Sequence, residues 1–546
     1  MPGVPGVPGV PGVPGVPGVP GGGRPVMTGG ATLSAAHVLG ESARQWPDAV
    51  ALVADGTRLS YGALWQDALR HAAALHGQGI GPGDRVALLL SNTARFPKAY
   101  YGVLAAGATV VPVNALLRTA EITYILRHSG ARALLCEGSL LPEGEPAARA
   151  AGVPLLTTAS PGRSPSLDEL AAHSTPLDAA VPRAPGDIAV VLYTSGTTGR
   201  PKGVMISHLN LVLNIDTTML APFAMRPDDV VLGCLPLFHT FGQVCVMGTG
   251  LRAGARLVLM PRFDAHAALD LMTAERCTVL MGVPTMYVAL LQAVRDGGRR
   301  PALDRAYCGG SALPARVLED FEAVFGCPVH EGYGLTEASP CVAYNHPGRP
   351  RVPGTVGHPI RGVEVRIARP GTAERIEALA AGETGEIVVR GHNVMAGYLD
   401  DPAATRAAVV DGWLRTGDLG VLDEDGRLTV VDRTKDTIVR GGYNVYPREV
   451  EDLLAAHPAV AQSAVVGVPD PRLGQEVCAV VVPRPGSAPD GRLAADIIAW
   501  SRQRIAAYKY PRRVEFVTAL PLGPSGKVLR RLLAEEFAGA QPVTDA

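Results

Sequence analysis

The run Tyr193-Thr-Ser-Gly-Thr-Thr-Gly-Arg-Pro-Lys-Gly203 gathers glycines, hydroxyl side chains and a single lysine into one short stretch. Glycine lets a backbone approach a ligand closely. The hydroxyls of Ser195, Thr197 and Thr198 and the ammonium of Lys202 are the groups that suit phosphate oxygens. The spacing is not Gly-x-x-x-x-Gly-Lys-[Ser/Thr], so a Walker A loop is excluded. The run follows an apolar strand at 187–192 and precedes a helix that Ser207 can cap. Lysine usage adds weight. Of 50 basic residues only five are lysine, at 98, 202, 435, 509 and 527. A compact ammonium on a flexible stem is not replaced by a planar guanidinium, and three of the five lie in chemistry-bearing motifs.

Four further stretches come in order: Glu331-Gly-Tyr-Gly-Leu-Thr-Glu-Ala338, Trp413-Leu-Arg-Thr-Gly-Asp418, Asp432-Arg-Thr-Lys-Asp436 and Pro524-Ser-Gly-Lys-Val528. With the loop at 193–203 they resemble the signatures of the adenylate-forming superfamily, in its acyl-CoA synthetase branch. The resemblance runs from about residue 31 to 535. It implies that a carboxylic acid is activated with ATP to acyl-AMP plus pyrophosphate, then passed to the thiol of coenzyme A. ATP, Mg2+ and CoA are the implied cofactor and co-substrates.

That resemblance assigns roles residue by residue. Thr194, Ser195, Gly196, Thr197, Thr198, Gly199 and Lys202 would wrap the phosphates. Gly310, Ser311, Tyr333 and Gly334 would border the adenine, Thr336 would touch the α-phosphate, and Asp418 would accept the ribose hydroxyls with Arg433 assisting. Thr197 and Glu337 would hold Mg2+, a hard cation that takes oxygen ligands and keeps several waters. Lys527 would bridge carboxylate and nucleotide during adenylation. A small lid would rotate about Lys435, after which Gly441 and Gly442 line a tunnel for the pantetheine arm.

His239, in Leu235-Pro-Leu-Phe-His-Thr-Phe-Gly242, matches a residue bordering the acyl pocket. Gly242, Gln243, Met247 and Gly309 are the expected lining, and their small or flexible side chains leave room for a medium- or long-chain fatty acid. An aryl acid of the cinnamate type is the next candidate. An amino-acid adenylating enzyme would place an acidic residue where this chain reads Phe238-His-Thr-Phe241. An acyl carrier protein is the alternative acceptor; the stretch from Asp418 to Arg433 is too compact for the insertion that hampers CoA use. A non-catalytic nucleotide-binding paralogue is disfavoured because Lys527, Glu337 and Asp418 are all retained.

The elements that must carry these residues are read from the wider pattern. At 546 residues the chain exceeds a single core. Apolar strands at 85–90, 108–113, 255–260 and 278–281 alternate with helical stretches, which predicts an α/β fold with largely parallel sheets. Near residue 430 the units shorten into a small α+β domain. The expected division is a low-complexity Pro-Gly-Val tail over 1–26, an AMP-binding part over 27–433 and a lid over 434–546. A net charge of -1 gives no reason to expect nucleic acid. Eight scattered cysteines without CxxC read as reduced, buried thiols, and no apolar run reaches membrane-spanning length. The expected location is the cytoplasm, free or peripheral to a membrane.

Overall fold

The computed structural model describes residues 31–158, 166–194, 200–371, 375–433, 436–441, 443–523 and 526–538. The low-complexity tail at 1–26, Ser195, Gly196, Thr197, Thr198, Gly199, Lys435 and Gly442 lie outside the described residues.

Apolar strands buried on both faces form two large sheets. Val86, Leu88, Val110 and Val190 are fully buried, as expected for central parallel strands covered by helices. Among the described residues one sheet has seven strands, with Arg85–Leu89 between parallel neighbours Thr109–Pro112 and Ala133–Glu137. The other has nine. Its parallel centre includes Val230–Gly233, Val279–Gly282, Arg305–Cys308 and Val329–Gly334. The α/β expectation holds for this part of the chain.

The stretch from Val363 to Arg433 departs from it. Among the described residues every pairing here is antiparallel, with Gly385–Gly391 between Val363–Ala368 and Trp413–Leu422. Burial alternates along most of Val363–Ala368, so one face is wet. Parallel neighbours need a long crossover, usually a helix, whereas short β-runs joined by turns pair back as hairpins. The C-terminal region forms a third layer system. Val460–Asp470 and Gly474–Pro483 pair along ten residues, and Ile438, Val445, Val450, Leu454 and Ile497 close a core of their own.

The loop at 195–199 is flanked differently from the expectation. A strand, Lys202–Ser207, separates it from the helix His208–Leu220, and pairs antiparallel with Ile188–Thr194 so that Thr194 faces Lys202. The two strands therefore form a hairpin. Ser207 does cap the helix, accepting from the Asn210 backbone N–H at 3.1 Å. Among the described residues no helix is long and apolar enough to cross a membrane, and all eight cysteines are free and buried.

Candidate active site

Register places the first pair. Trp413–Leu422 and Leu428–Arg433 run antiparallel with Asp418 directly opposite Arg433, and Arg433 Nε lies 3.1 Å from Asp418 Oδ1. The other carboxylate oxygen accepts from the Tyr333 hydroxyl at 2.6 Å. Asp418 is buried, and its two oxygens are thus fixed in direction by a phenol and a guanidinium. Tyr333 stays neutral because burial, then the neighbouring carboxylate, push its hydroxyl well above the usual range.

Glycines give Tyr333 its place. A Cβ at Gly332 would lie 2.0 Å from the Tyr344 ring, and one at Gly334 would lie 2.3 Å from the Pro340 carbonyl oxygen. Both contacts are impossible for a side chain, so the two glycines let this strand end lie against its neighbour. Just beyond, Thr336 and Glu337 begin a short 3-10 turn.

A cavity of about 570 Å³ lies between the large part of the chain and the C-terminal region. Gly310, Ser311, Tyr333, Gly334, Asp418, Arg433 and Lys527 all face it. Lys527 reaches in from the C-terminal side, with its Cε 3.5 Å from where a Gly310 Cβ would stand. A left-handed turn at Gly526 (φ +75°) brings it there, and a Cβ on Gly526 would crowd Val283 at 2.9 Å.

The charge of Lys527 is felt by His239. Burial first, and the ammonium second, lower the His239 imidazole to about 4, so it is neutral at physiological pH. Its Nδ1 accepts from the Phe241 backbone N–H at 3.3 Å, which leaves the proton on Nε2. His239 is therefore a neutral donor beside the lysine.

Lys202 and Glu337 are joined by a residue that motif reading missed. The Lys202 ammonium sits 5.1 Å from the centre of the Tyr398 ring and 3.7 Å from Asp401 Oδ2, while the Tyr398 hydroxyl donates to Glu337 Oε1 at 3.1 Å. Tyr398 thus spans the arm of the glycine-rich hairpin and the carboxylate. The only sequence signal is an aromatic in Gly397-Tyr-Leu-Asp-Asp-Pro402, and nothing local tells which side chains a lone tyrosine will meet.

Glu337 suits Mg2+. It is a half-buried carboxylate oriented by one hydrogen bond, and a cation held mostly by phosphates and water needs few protein oxygens. Among the described residues there is no cluster of three or more His, Cys, Asp or Glu that could form an all-protein cage. Replacing Tyr398 by Phe is expected to raise the Mg2+ concentration needed for half-maximal pyrophosphate exchange about tenfold, since the partner orienting the carboxylate is lost. An unchanged Mg2+ titration would separate Tyr398 from Glu337.

The expected acyl-lining residues all lie outside the cavity wall. Gly309 is flanked by the Phe241 ring at 3.2 Å and the Tyr344 hydroxyl at 3.3 Å from a Cβ position. A Cβ on Gly242 would lie 2.3 Å from the Pro236 carbonyl oxygen, and Gln243 bonds Tyr100 and the Leu237 carbonyl. Met247 is fully buried in the same π-helix, Phe241–Gly248. These three serve packing of that helix. Gly441 (φ +57°) turns the hairpin of Ile438–Arg440 and Tyr443–Val445, also away from the cavity.

Residues 39–399 match the family model of AMP-binding enzymes, and residues 449–527 match that of the AMP-binding enzyme C-terminal domain. The chain belongs to the AMP-binding enzyme family. It is 35% identical over 530 residues to a long-chain-fatty-acid–CoA ligase of Bacillus subtilis, covering 91% of this chain and 94% of that protein. It is 39% identical over 500 residues to a feruloyl-CoA synthase of an Amycolatopsis species, covering 91% and 97%. Its fold matches a benzoate CoA ligase from Burkholderia xenovorans with a TM-score of 0.85, 31% identity, and coverage of 92% and 99%. This AMP-binding enzyme is an ATP-dependent, AMP-forming acid:CoA ligase that uses Mg2+.

Proposed function

We propose that this ligase activates a monocarboxylic acid with an apolar body, a medium- or long-chain fatty acid, and that Lys527 drives the first half-reaction. The observation that carries this is the Gly309-Gly310 pair. Gly309 is bounded by Phe241 and Tyr344, whereas Gly310 is bounded by Val283 and the Lys527 side chain. One side of a dipeptide is largely apolar and the other meets an ammonium. A carboxylate belongs at the second, and its hydrocarbon at the first.

The reaction needs two anions brought together, so alignment and charge stabilisation are most of the task. Tyr333 and Asp418 hold the nucleoside, with Arg433 fixing Asp418. The hairpin loop and Lys202 take the phosphates, and Thr336 stands by the α-phosphate. Glu337 and Thr197 would hold Mg2+, which when bound would supply charge neutralisation at the phosphates. The acid's carboxylate oxygen attacks the α-phosphorus, pyrophosphate leaves, and Lys527 stabilises the charge developing on the transferring group. Neutral His239 borders the acid and offers its Nε2–H without adding a second charge. The C-terminal region, 434–546, then turns about Lys435, withdrawing Lys527 and bringing Gly441 and Gly442 to the thiol path.

An aryl acid is the second reading. It is favoured by the similarity to a feruloyl-CoA synthase and a benzoate CoA ligase, whose acids carry an aromatic ring. The test is pyrophosphate release and AMP formation across saturated C8–C16 acids, cinnamates and benzoates, each with CoA, with a carrier protein, and with neither acceptor. Highest kcat/KM on the alkyl series with CoA supports the proposal. Preference for hydroxycinnamates, or turnover only with the carrier protein, overturns it.

A further inference from the structure

We infer that Asp432 is a positioning residue: across the hinge, it caps the helix Pro447–Ala455 and so holds the C-terminal region with Lys527 in the cavity. This rests on the reading of Lys527 given above.

Strand geometry starts the argument. Asp432 and Arg433 are adjacent at the end of Leu428–Arg433, and successive strand residues point to opposite faces. Arg433 turns to Asp418. Asp432 turns the other way and is buried against the C-terminal region. There its Oδ2 accepts from the Arg448 backbone N–H at 3.1 Å, while Oδ1 accepts from the Arg433 N–H at 2.7 Å.

Arg448 is the second residue of the helix, the position whose N–H an N-cap side chain ordinarily satisfies. The helix has no such group of its own. Its N-cap residue is Tyr446, which makes no side-chain cap bond, and Pro447 comes next. The cap is supplied from the other side of the hinge, by a carboxylate where the helix dipole favours one. Arg448 reinforces it, since its guanidinium donates to the Val430 carbonyl on the same strand as Asp432.

The helix transmits that grip to the lysine. Glu451, one turn along, binds Arg530 through both carboxylate oxygens, at 2.6 Å and 2.9 Å from Nη2. Arg530 opens the helix Arg530–Phe537, three residues after Lys527. A continuous path of contacts thus runs from Asp432 through Arg448, Glu451 and Arg530 to the turn carrying Lys527. Rotation about the hinge must break its first link, because Asp432 stays with the sheet of Trp413–Leu422 while the helix packs on Val460–Asp470.

The test compares half-reactions in Asp432→Ala, Asp432→Asn and Lys527→Ala of the full chain. ATP–pyrophosphate exchange is expected to fall about tenfold in Asp432→Ala, and less in Asp432→Asn, whose amide oxygen can still accept. Acyl transfer from supplied acyl-AMP to CoA is expected to stay within about twofold of wild type, because that step does not need Lys527 inside. Hydrogen exchange of the Arg448 amide is expected to accelerate. Equal loss of both half-reactions, or no selective loss of exchange, overturns the cap while Lys527→Ala still loses exchange. Should Lys527→Ala keep exchange, the lysine reading fails, and the positioning role with it.

Discussion

Lys527→Ala is expected to lower ATP–pyrophosphate exchange by about 10³-fold, the upper range for removing one electrostatic stabiliser from a water-poor site. The physical reason is the position of the charge. The Lys527 side chain stands against Gly310, and the cavity it enters also carries Tyr333 and Asp418. An ammonium aimed at developing charge acts in the transition state more than on bound substrate, so kcat falls rather than KM rising. Thioester formation from supplied acyl-AMP is expected to survive. His239 supplies an independent readout. Part of its depression comes from the Lys527 charge, after burial. Removing the ammonium favours the imidazolium, so the His239 titration moves upward, and NMR of the ring protons would track it. A histidine that does not move would place the lysine elsewhere, and equal loss of both half-reactions would make its role structural.

Asp418→Ala carries the second large effect, a fall in kcat/KM for ATP of about 10²- to 10³-fold, since a charged acceptor for two hydroxyls is lost. The loss has two sources. Ribose hydroxyls lose the carboxylate, and the Tyr333 hydroxyl and Arg433 guanidinium lose the acceptor that orients them at 2.6 Å and 3.1 Å. Asp418→Asn keeps the volume but turns an amide N–H toward one of these donors, and an intermediate loss of about tenfold is expected. Deoxy-ATP analogues separate the sources. Wild type should discriminate strongly against 2′- and 3′-deoxy-ATP, and the alanine variant should not. Retained discrimination in Asp418→Ala would move the ribose contact to another residue.

Much of this site is legible in the sequence, for a definite reason. A segment that wraps phosphates needs its glycines, hydroxyls and lysine as neighbours in the chain, and that pattern is what the run at 193–203 displays. Scarcity of lysine, together with the motifs around them, singles out Lys202, Lys435 and Lys527 without a structure. Helix capping is equally local, and Ser207 caps the helix His208–Leu220 as its position indicates. The strand Lys202–Ser207 is not legible in the same way. A short apolar run before a helix does not tell whether it will first pair back as a hairpin. The antiparallel sheet of 363–433 is hidden for the same reason, as its strands are mostly short and their partners are chosen by packing.

The acyl-lining expectations show the limit most clearly. Gly242 and Gly309 are the same residue type on similar-looking apolar stretches. Yet a Cβ on one would strike a carbonyl inside its own loop, and on the other would meet the Phe241 ring. Only three-dimensional neighbours distinguish a glycine that admits backbone from one that lies against an aromatic ring.

By itself the sequence determined the chemistry: which hydroxyls, carboxylates and ammonium groups exist, and the order in which an α/β scaffold would meet them. Tertiary structure decided the rest, because hydrogen bonds between distant residues depend on register and layer contact. The Asp418–Arg433 pair needs a particular strand register. The link from Lys202 through Tyr398 to Glu337 joins three segments far apart in the chain through one ring. The cap from Asp432 to Arg448 exists only because the C-terminal region is folded down on the strand that precedes it.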